Sequence, residues 1–166
     1  MNAGYDAKKS EIHGMSQRGG SVFSHIRYGE KVYSCVIPEG SADLIVALEE
    51  MEALRWTGYC SKATAAIITR TRINPANVIE YPAGISDELK RLFNSVMMVE
   101  PVELAAKSGG QKFLNTALLG VVSLRVNFPE LAWREAIDKL TPAGTAEQNW
   151  KAFQMGRELD HGGAQA

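Results

Sequence analysis

Residues 10–21 read SEIHGMSQRGGS, a run that carries a carboxylate, an imidazole, an amide, a guanidinium, three hydroxyls and three glycines. It has almost no aliphatic content with which to join a core. Arg18 offers a planar fork suited to a phosphate or a carboxylate. Gly14, Gly19 and Gly20 allow main-chain amides to approach a ligand closely. Glu11 and His13 could exchange or orient a proton, while Ser16, Gln17 and Ser21 supply neutral hydrogen bonds. Composition alone favours a solvated loop whose glycines only turn the chain. The glycine spacing fits neither a dinucleotide-binding nor a P-loop fingerprint.

The rest of the chain narrows the chemistry. Its 166 residues make one domain of average composition, 45% hydrophobic and 22% charged. A formal net charge of -1 supplies no field that would recruit nucleic acid or anionic lipid. Cys35 and Cys60 form no CxxC pair and sit near no histidine cluster, so no metal or iron–sulfur site held by this chain alone is expected. Two isolated cysteines behind a polar N-terminus read as reduced thiols in the cytoplasm. No apolar run approaches the length of a membrane span.

The elements that must position the polar run follow from periodicity. Residues 7–12 can form a strand. Residues 21–28 and 31–37 alternate and read as a hairpin turning at Gly29-Glu30. ADLIVA (42–47) and AAIIT (65–69) are short apolar runs typical of strands buried on both faces, as is VMMV (96–99), and residues 77–82 suggest a shorter strand. Helices are expected over 48–58, from an N-cap at Ser86 to about Asn94, and over 111–126, apolar on most faces. Two more open at Pro129, with Trp133, Ala136, Ile137 and Leu140 on one face, and at a capping box Thr145-x-x-Gln148, with Trp150 and Phe153 inward. The Gly109-Gly110 pair reads as a turn between helices. Strands alternating with helices make an α/β protein with a mostly parallel sheet, which binds ligands beyond the carboxyl ends of its strands. Arg70 and Arg72 stand at such an end, and Glu49, Glu50 and Glu52 with Arg55 have ordinary helix-surface spacing.

Several motifs are more specific. SE-x-HGM-x-QRGG-x-V-x-S (10–24), R-x-G (27–29), IPEG-x-ADL (37–44) and A-x-E-x-x-EA-x-R (47–55) together resemble the γ-type subunits of 2-oxoacid:ferredoxin oxidoreductases, nearest to the indolepyruvate branch. The resemblance is dense over residues 4–74. It implies a Rossmann-like three-layer sandwich in a single domain, and a role as one subunit of an enzyme that decarboxylates an aryl-pyruvate to an acyl-CoA and passes electrons to ferredoxin. It implies no cofactor on this chain, with thiamine diphosphate and 4Fe–4S clusters on a large α-type partner and coenzyme A as a substrate. Carried onto these residues, Arg18, Gly19 and Gly20, with Gly14, Ser16 and Ser21, become contacts to coenzyme A or to the partner's active-site edge. Glu11, His13 and Gln17 become candidate catalytic groups, and Glu49, Arg70 and Arg72 candidate interface groups. The family ordinarily places a glycine-rich strand–loop–helix unit before the first of these motifs. NAGYD then reads as the tail of that helix, and the sheet is expected to lack its first, central strand and so to hold an open slot. The alternative reading is a non-catalytic Rossmann-like assembly or binding module.

Overall fold

The computed structural model describes residues 3–13, 22–74 and 79–159. Three apolar runs form the expected parallel sheet, in the order β3 (Ala42–Ala47), β4 (Cys60–Thr69), β5 (Ser95–Val99). Ile45 lies opposite Ala66, and Ala66 opposite Val96. Alternation along β4 serves two cores. Ile67 faces α3 (Pro101–Lys107), α4 (Leu114–Ser123) and α6 (Ala146–Glu158), through Leu104, Ala117, Leu118, Val121 and Ala152. Ala66 and Ile68 face α1 (Glu50–Arg55) and α2 (Ile85–Leu92), through Ala53, Leu89 and Phe93. This is the three-layer sandwich expected from strands without alternating polarity.

Among the described residues the sheet has no central slot: its strands are contiguous, and the free ladder positions lie on the outer sides of β3 and β5.

The hairpin differs from the expected one. β2 (Val22–Gly29) pairs antiparallel with β1 (Asp6–His13), from Asp6 opposite Gly29 to His13 opposite Val22. Residues 31–37 form no strand, so Cys35 lies outside one. Side chains supply what a ladder would have given. Val32 N–H donates to the Asp6 carboxylate at 2.9 Å, Ile37 N–H donates to His25 Nδ1 at 2.9 Å, and Arg27 Nη1 donates to the carbonyls of Ser34 and Val36. The β1–β2 ribbon is fastened to the sandwich by rings. Phe23 lies 3.8 Å from Trp56 between centroids, His25 meets Tyr59 edge-on at 4.9 Å, and Tyr28 packs on Phe128 at 4.7 Å.

Other local expectations give way where a side chain has a better partner. Residues 79–82 form no strand, while 77 and 78 lie outside the described residues. α2 starts from Gly84 in a left-handed conformation (φ 80°), because the Ser86 hydroxyl is spent elsewhere. Thr145 precedes α6 without capping it, since its hydroxyl donates to Pro142 O, and the Asn149 amide folds back onto Thr145. Pro129 is the N-cap of α5 (Glu130–Leu140) rather than part of its first turn. Ile137 is buried there, but Leu140 is 80% exposed. The 111–126 run divides into a 3-10 turn, Gln111–Phe113, and the buried α4. Gly109 and Gly110 have φ of 93° and 121° and turn the chain as expected.

The closest helix pairing is α4 on α6. A Cβ at Gly120 would fall inside the Phe153 carbonyl oxygen, and one at Gly156 inside the Ala117 carbonyl oxygen. The two glycines thus set the interaxial distance for the larger core. Gly156→Ala must push the helices apart, and is expected to destabilise the chain by about 1–3 kcal/mol or more, lowering the melting midpoint by about 2–4 °C per kcal/mol. Thermal denaturation followed by circular dichroism checks this; an unchanged midpoint would contradict the reading.

Candidate functional site

Two groups of polar residues are candidates, and one of them stands where an α/β protein keeps its chemistry. The first is built at the carboxyl ends of β3 and β4. Glu49 and Glu50 follow β3 directly, and neither is the surface residue its spacing suggested: Glu50 is 0% exposed and Glu49 is buried. A buried carboxylate needs donors, and these arrive from three parts of the chain. Glu49 Oε2 accepts the Glu52 N–H at 2.9 Å and so caps α1. Glu49 Oε1 accepts the Tyr81 hydroxyl at 2.5 Å and the Ile73 N–H at 3.4 Å. The Tyr81 oxygen in turn accepts the Met51 N–H at 3.0 Å. Glu50 accepts the Ser86 hydroxyl at 2.9 Å and Arg72 Nε at 3.4 Å, and its N–H donates to Thr71 O.

Arg72 is held on two sides, by Glu50 at its Nε and by the Tyr81 ring 5.5 Å from its guanidinium carbon, yet its side chain remains 57% exposed. Arg70 Nε pairs with Glu100 at 3.3 Å, and its N–H donates to Val99 O. Of the three interface candidates, Glu49 and Arg72 therefore share one network and Arg70 belongs to a neighbouring pair. Sequence reasoning missed Glu50, Tyr81 and Ser86. The available signal was a pair of glutamates directly after a wholly apolar strand.

The second group is on the β1–β2 ribbon. Glu11 lies on β1 opposite Ser24, whose hydroxyl donates to Glu11 Oε2 at 3.2 Å; Lys9 Nζ donates to the same oxygen at 2.6 Å. His13 closes the ladder opposite Val22. Gly14, Ser16, Gln17, Arg18, Gly19, Gly20 and Ser21 lie outside the described residues. The polar run thus joins two antiparallel strands, instead of leading from a parallel strand into a helix as a doubly wound ligand loop would.

Neither group fits a metal or cluster. Among the described residues no three His, Cys, Asp or Glu side chains converge as ligands. Burial pushes the Cys60 thiol up, away from the thiolate a cluster requires. Cys60 opens β4 and places its sulfur 3.7 Å from Trp56 O. A depression of about 420 Å³ lined by Glu130, Leu131, Arg134 and Trp150 includes none of the candidate residues. Among the described residues no helix is long and apolar enough to cross a membrane.

Residues 1–159 match the family described as Pyruvate ferredoxin/flavodoxin oxidoreductase. The chain belongs to this family. It is 35% identical to indolepyruvate oxidoreductase subunit IorB of Thermococcus kodakarensis, over 94% of this chain and 82% of the relative. The IorB of Methanothermobacter thermautotrophicus is 36% identical, over 89% and 79%. Among solved structures, the fold is similar to the gamma subunit of a keto/oxoacid ferredoxin oxidoreductase from Geobacter sulfurreducens. That likeness has a TM-score of 0.66 and 19% identity, and covers 95% of this chain and 81% of the other. It is also similar to part of the 2-oxoglutarate:ferredoxin oxidoreductase from Magnetococcus marinus, with a TM-score of 0.67 and 16% identity, covering 99% of this chain and 27% of that one. The expectation raised by the opening motifs, an oxidoreductase subunit of the 2-oxoacid:ferredoxin type with a γ-subunit fold, is borne out.

The Tyr81–Glu49 contact gives this family member a measurable signature. Burial, and then the Glu49 carboxylate, raise the Tyr81 hydroxyl above its ordinary value of 10.0. The unfolded chain releases that proton at lower pH than the folded one, so stability is full below about pH 10 and falls as pH rises beyond it. Tyr81→Phe is expected to cost about 1–2 kcal/mol at neutral pH and to flatten the alkaline fall. Urea denaturation between pH 8 and 11 measures both, and equal slopes for the two proteins would contradict the assignment.

Proposed function

We propose that this chain is the small subunit of a hetero-oligomeric 2-oxoacid:ferredoxin oxidoreductase acting on aryl-pyruvates such as indolepyruvate. In that reaction the bond between the carboxylate and carbonyl carbons breaks and carbon dioxide leaves. A thioester forms to the sulfur of coenzyme A, one proton is released, and two electrons pass to ferredoxin. Thiamine diphosphate and 4Fe–4S clusters, carried by a large α-type subunit, supply the electron sink and the electron path. The observation that carries this reading is 35% identity with an indolepyruvate oxidoreductase subunit over 94% of the chain.

The work of this chain's own residues is recognition. Arg18, with Gly14, Ser16, Gly19, Gly20 and Ser21, receives an oxyanion of coenzyme A at the partner's active-site edge. A guanidinium fork and main-chain amides are the donor set a phosphate needs. Glu11, His13 and Gln17 line the same surface and hold or relay a proton there. Glu49, Arg70 and Arg72 belong to the subunit interface. The chain lacks complete catalytic machinery of its own, and the assembled enzyme works in the cytoplasm.

Arg18→Ala in the reconstituted enzyme is expected to raise the KM for coenzyme A at least tenfold, about 1.4 kcal/mol, with assembly intact and a smaller effect on kcat. Steady-state kinetics alongside size-exclusion chromatography reads both. Unchanged coenzyme A-dependent turnover in an intact complex would remove the loop from the active site.

A further inference from the structure

Arg72 is fixed in place yet half of it stays in water. Its Nε donates to a carboxylate with no solvent exposure, and its guanidinium carbon lies 5.5 Å from the centre of the Tyr81 ring. An exposed surface arginine ordinarily spends side-chain entropy when it binds. Here the Glu50 carboxylate and the Tyr81 ring have already removed that freedom, and no hydrogen bond within the chain takes up the outer Nη edge among the described residues.

The surroundings are apolar. Ile73 is 64% exposed and Leu48 58%. They are neighbours, since Glu49, next to Leu48, accepts the Ile73 N–H. Ile79 is 93% exposed, and its carbonyl is held at 2.8 Å by the Asn74 amide. Three exposed aliphatic residues thus lie on the segments that hold the arginine at the carboxyl edge of the sheet: Leu48 precedes Glu49, Ile73 follows Arg72, and Ile79 stands two residues before Tyr81. Apolar surface around a preorganised arginine is the make-up of an energetic centre in a protein interface.

From this we infer that Leu48, Arg72, Ile73 and Ile79 form the anchor patch by which this chain docks its large partner subunit, with Arg72 donating from its Nη edge to main-chain carbonyl oxygens in an apolar partner surface. The inference rests on the subunit role proposed above and adds the anchor residues and the chemistry they meet. Charge decides between acceptors. Glu50 already pairs with the guanidinium, and Glu49 adds a second carboxylate to the same network through Tyr81, so a third carboxylate brought into a desolvated contact would be repelled by the excess. A neutral carbonyl uses the free donors without adding charge. Glu50 is a positioning residue: it acts through Arg72 and touches no partner.

The test is the affinity of the full-length chain for the purified large subunit, measured by surface plasmon resonance. Arg72→Ala is expected to raise Kd at least tenfold, and Arg72→Lys not to restore it, because an ammonium lacks the fork. Ile79→Ser, at a site too exposed to disturb folding, is expected to weaken binding severalfold. Leu140→Ser, on the exposed side of α5, leaves Kd unchanged. A Glu50→Gln, Arg72→Ala cycle is expected to be non-additive, the double variant binding no worse than Arg72→Ala alone. Arg72→Ala and Ile79→Ser both binding as tightly as the unaltered chain would overturn the patch while leaving the subunit role intact. Failure of the unaltered chain to bind the large subunit at all would overturn both readings. An Arg72→Ala effect that vanishes at 0.5 M salt would overturn the neutral acceptor, since exposed ion pairs are screened at that ionic strength.

Discussion

The carboxyl edge of this domain is organised by the removal of Glu50 from water. A carboxylate with no solvent exposure loses its hydration and must recover hydrogen bonds inside the protein. The donors come from Ser86 on α2 and Arg72 in the segment after β4, while adjacent Glu49 draws in Tyr81, Ile73 and Glu52. Each of these bonds ties a different stretch of chain to the start of α1. Together they decide where the segment beyond β4 runs, and therefore what the sheet presents at the end where such folds meet their ligands and partners.

The remainder of the molecule is held differently. The sandwich is apolar, with its interlayer spacing set by two glycines that let α4 and α6 touch backbone to backbone. Among the described residues the β1–β2 ribbon is not hydrogen-bonded into the parallel sheet, and it reaches the sandwich through ring contacts, Phe23 on Trp56 and Tyr28 on Phe128. Ring contacts tolerate sliding more readily than a ladder does, because each is worth only about 0.5–1.5 kcal/mol beyond burial. The polar run thus belongs to an element joined to the core by packing, while the buried carboxylates belong to the core itself. Two sites with different mechanical footing serve one proposed assembly.

Much of this was legible beforehand. Uninterrupted apolar runs marked the three parallel strands, because a strand covered on both faces has no polar positions to alternate. The apolar α4 announced its burial in the same way. The dense polar motifs of the first 74 residues carried the family, since a motif is written in local residue order. Several misses share one reason: a local rule competed with a distant side chain and lost. Residues 31–37 alternate like a strand, but Asp6, His25 and Arg27 occupy their main-chain groups. Ser86 looks like a cap, but its hydroxyl goes to Glu50. Glu49 and Glu50 have the spacing of a solvated helix face and are buried.

By itself, then, the amino-acid order determined the α/β class, the buried strands and the family, because each is expressed in patterns a few residues long. Only the tertiary structure decided that β1 rather than 31–37 pairs with β2, that Gly120 and Gly156 face each other across a helix crossing, and that two glutamates leave water together. Burial is a property of what packs against a residue from elsewhere in the chain, and no local pattern records it.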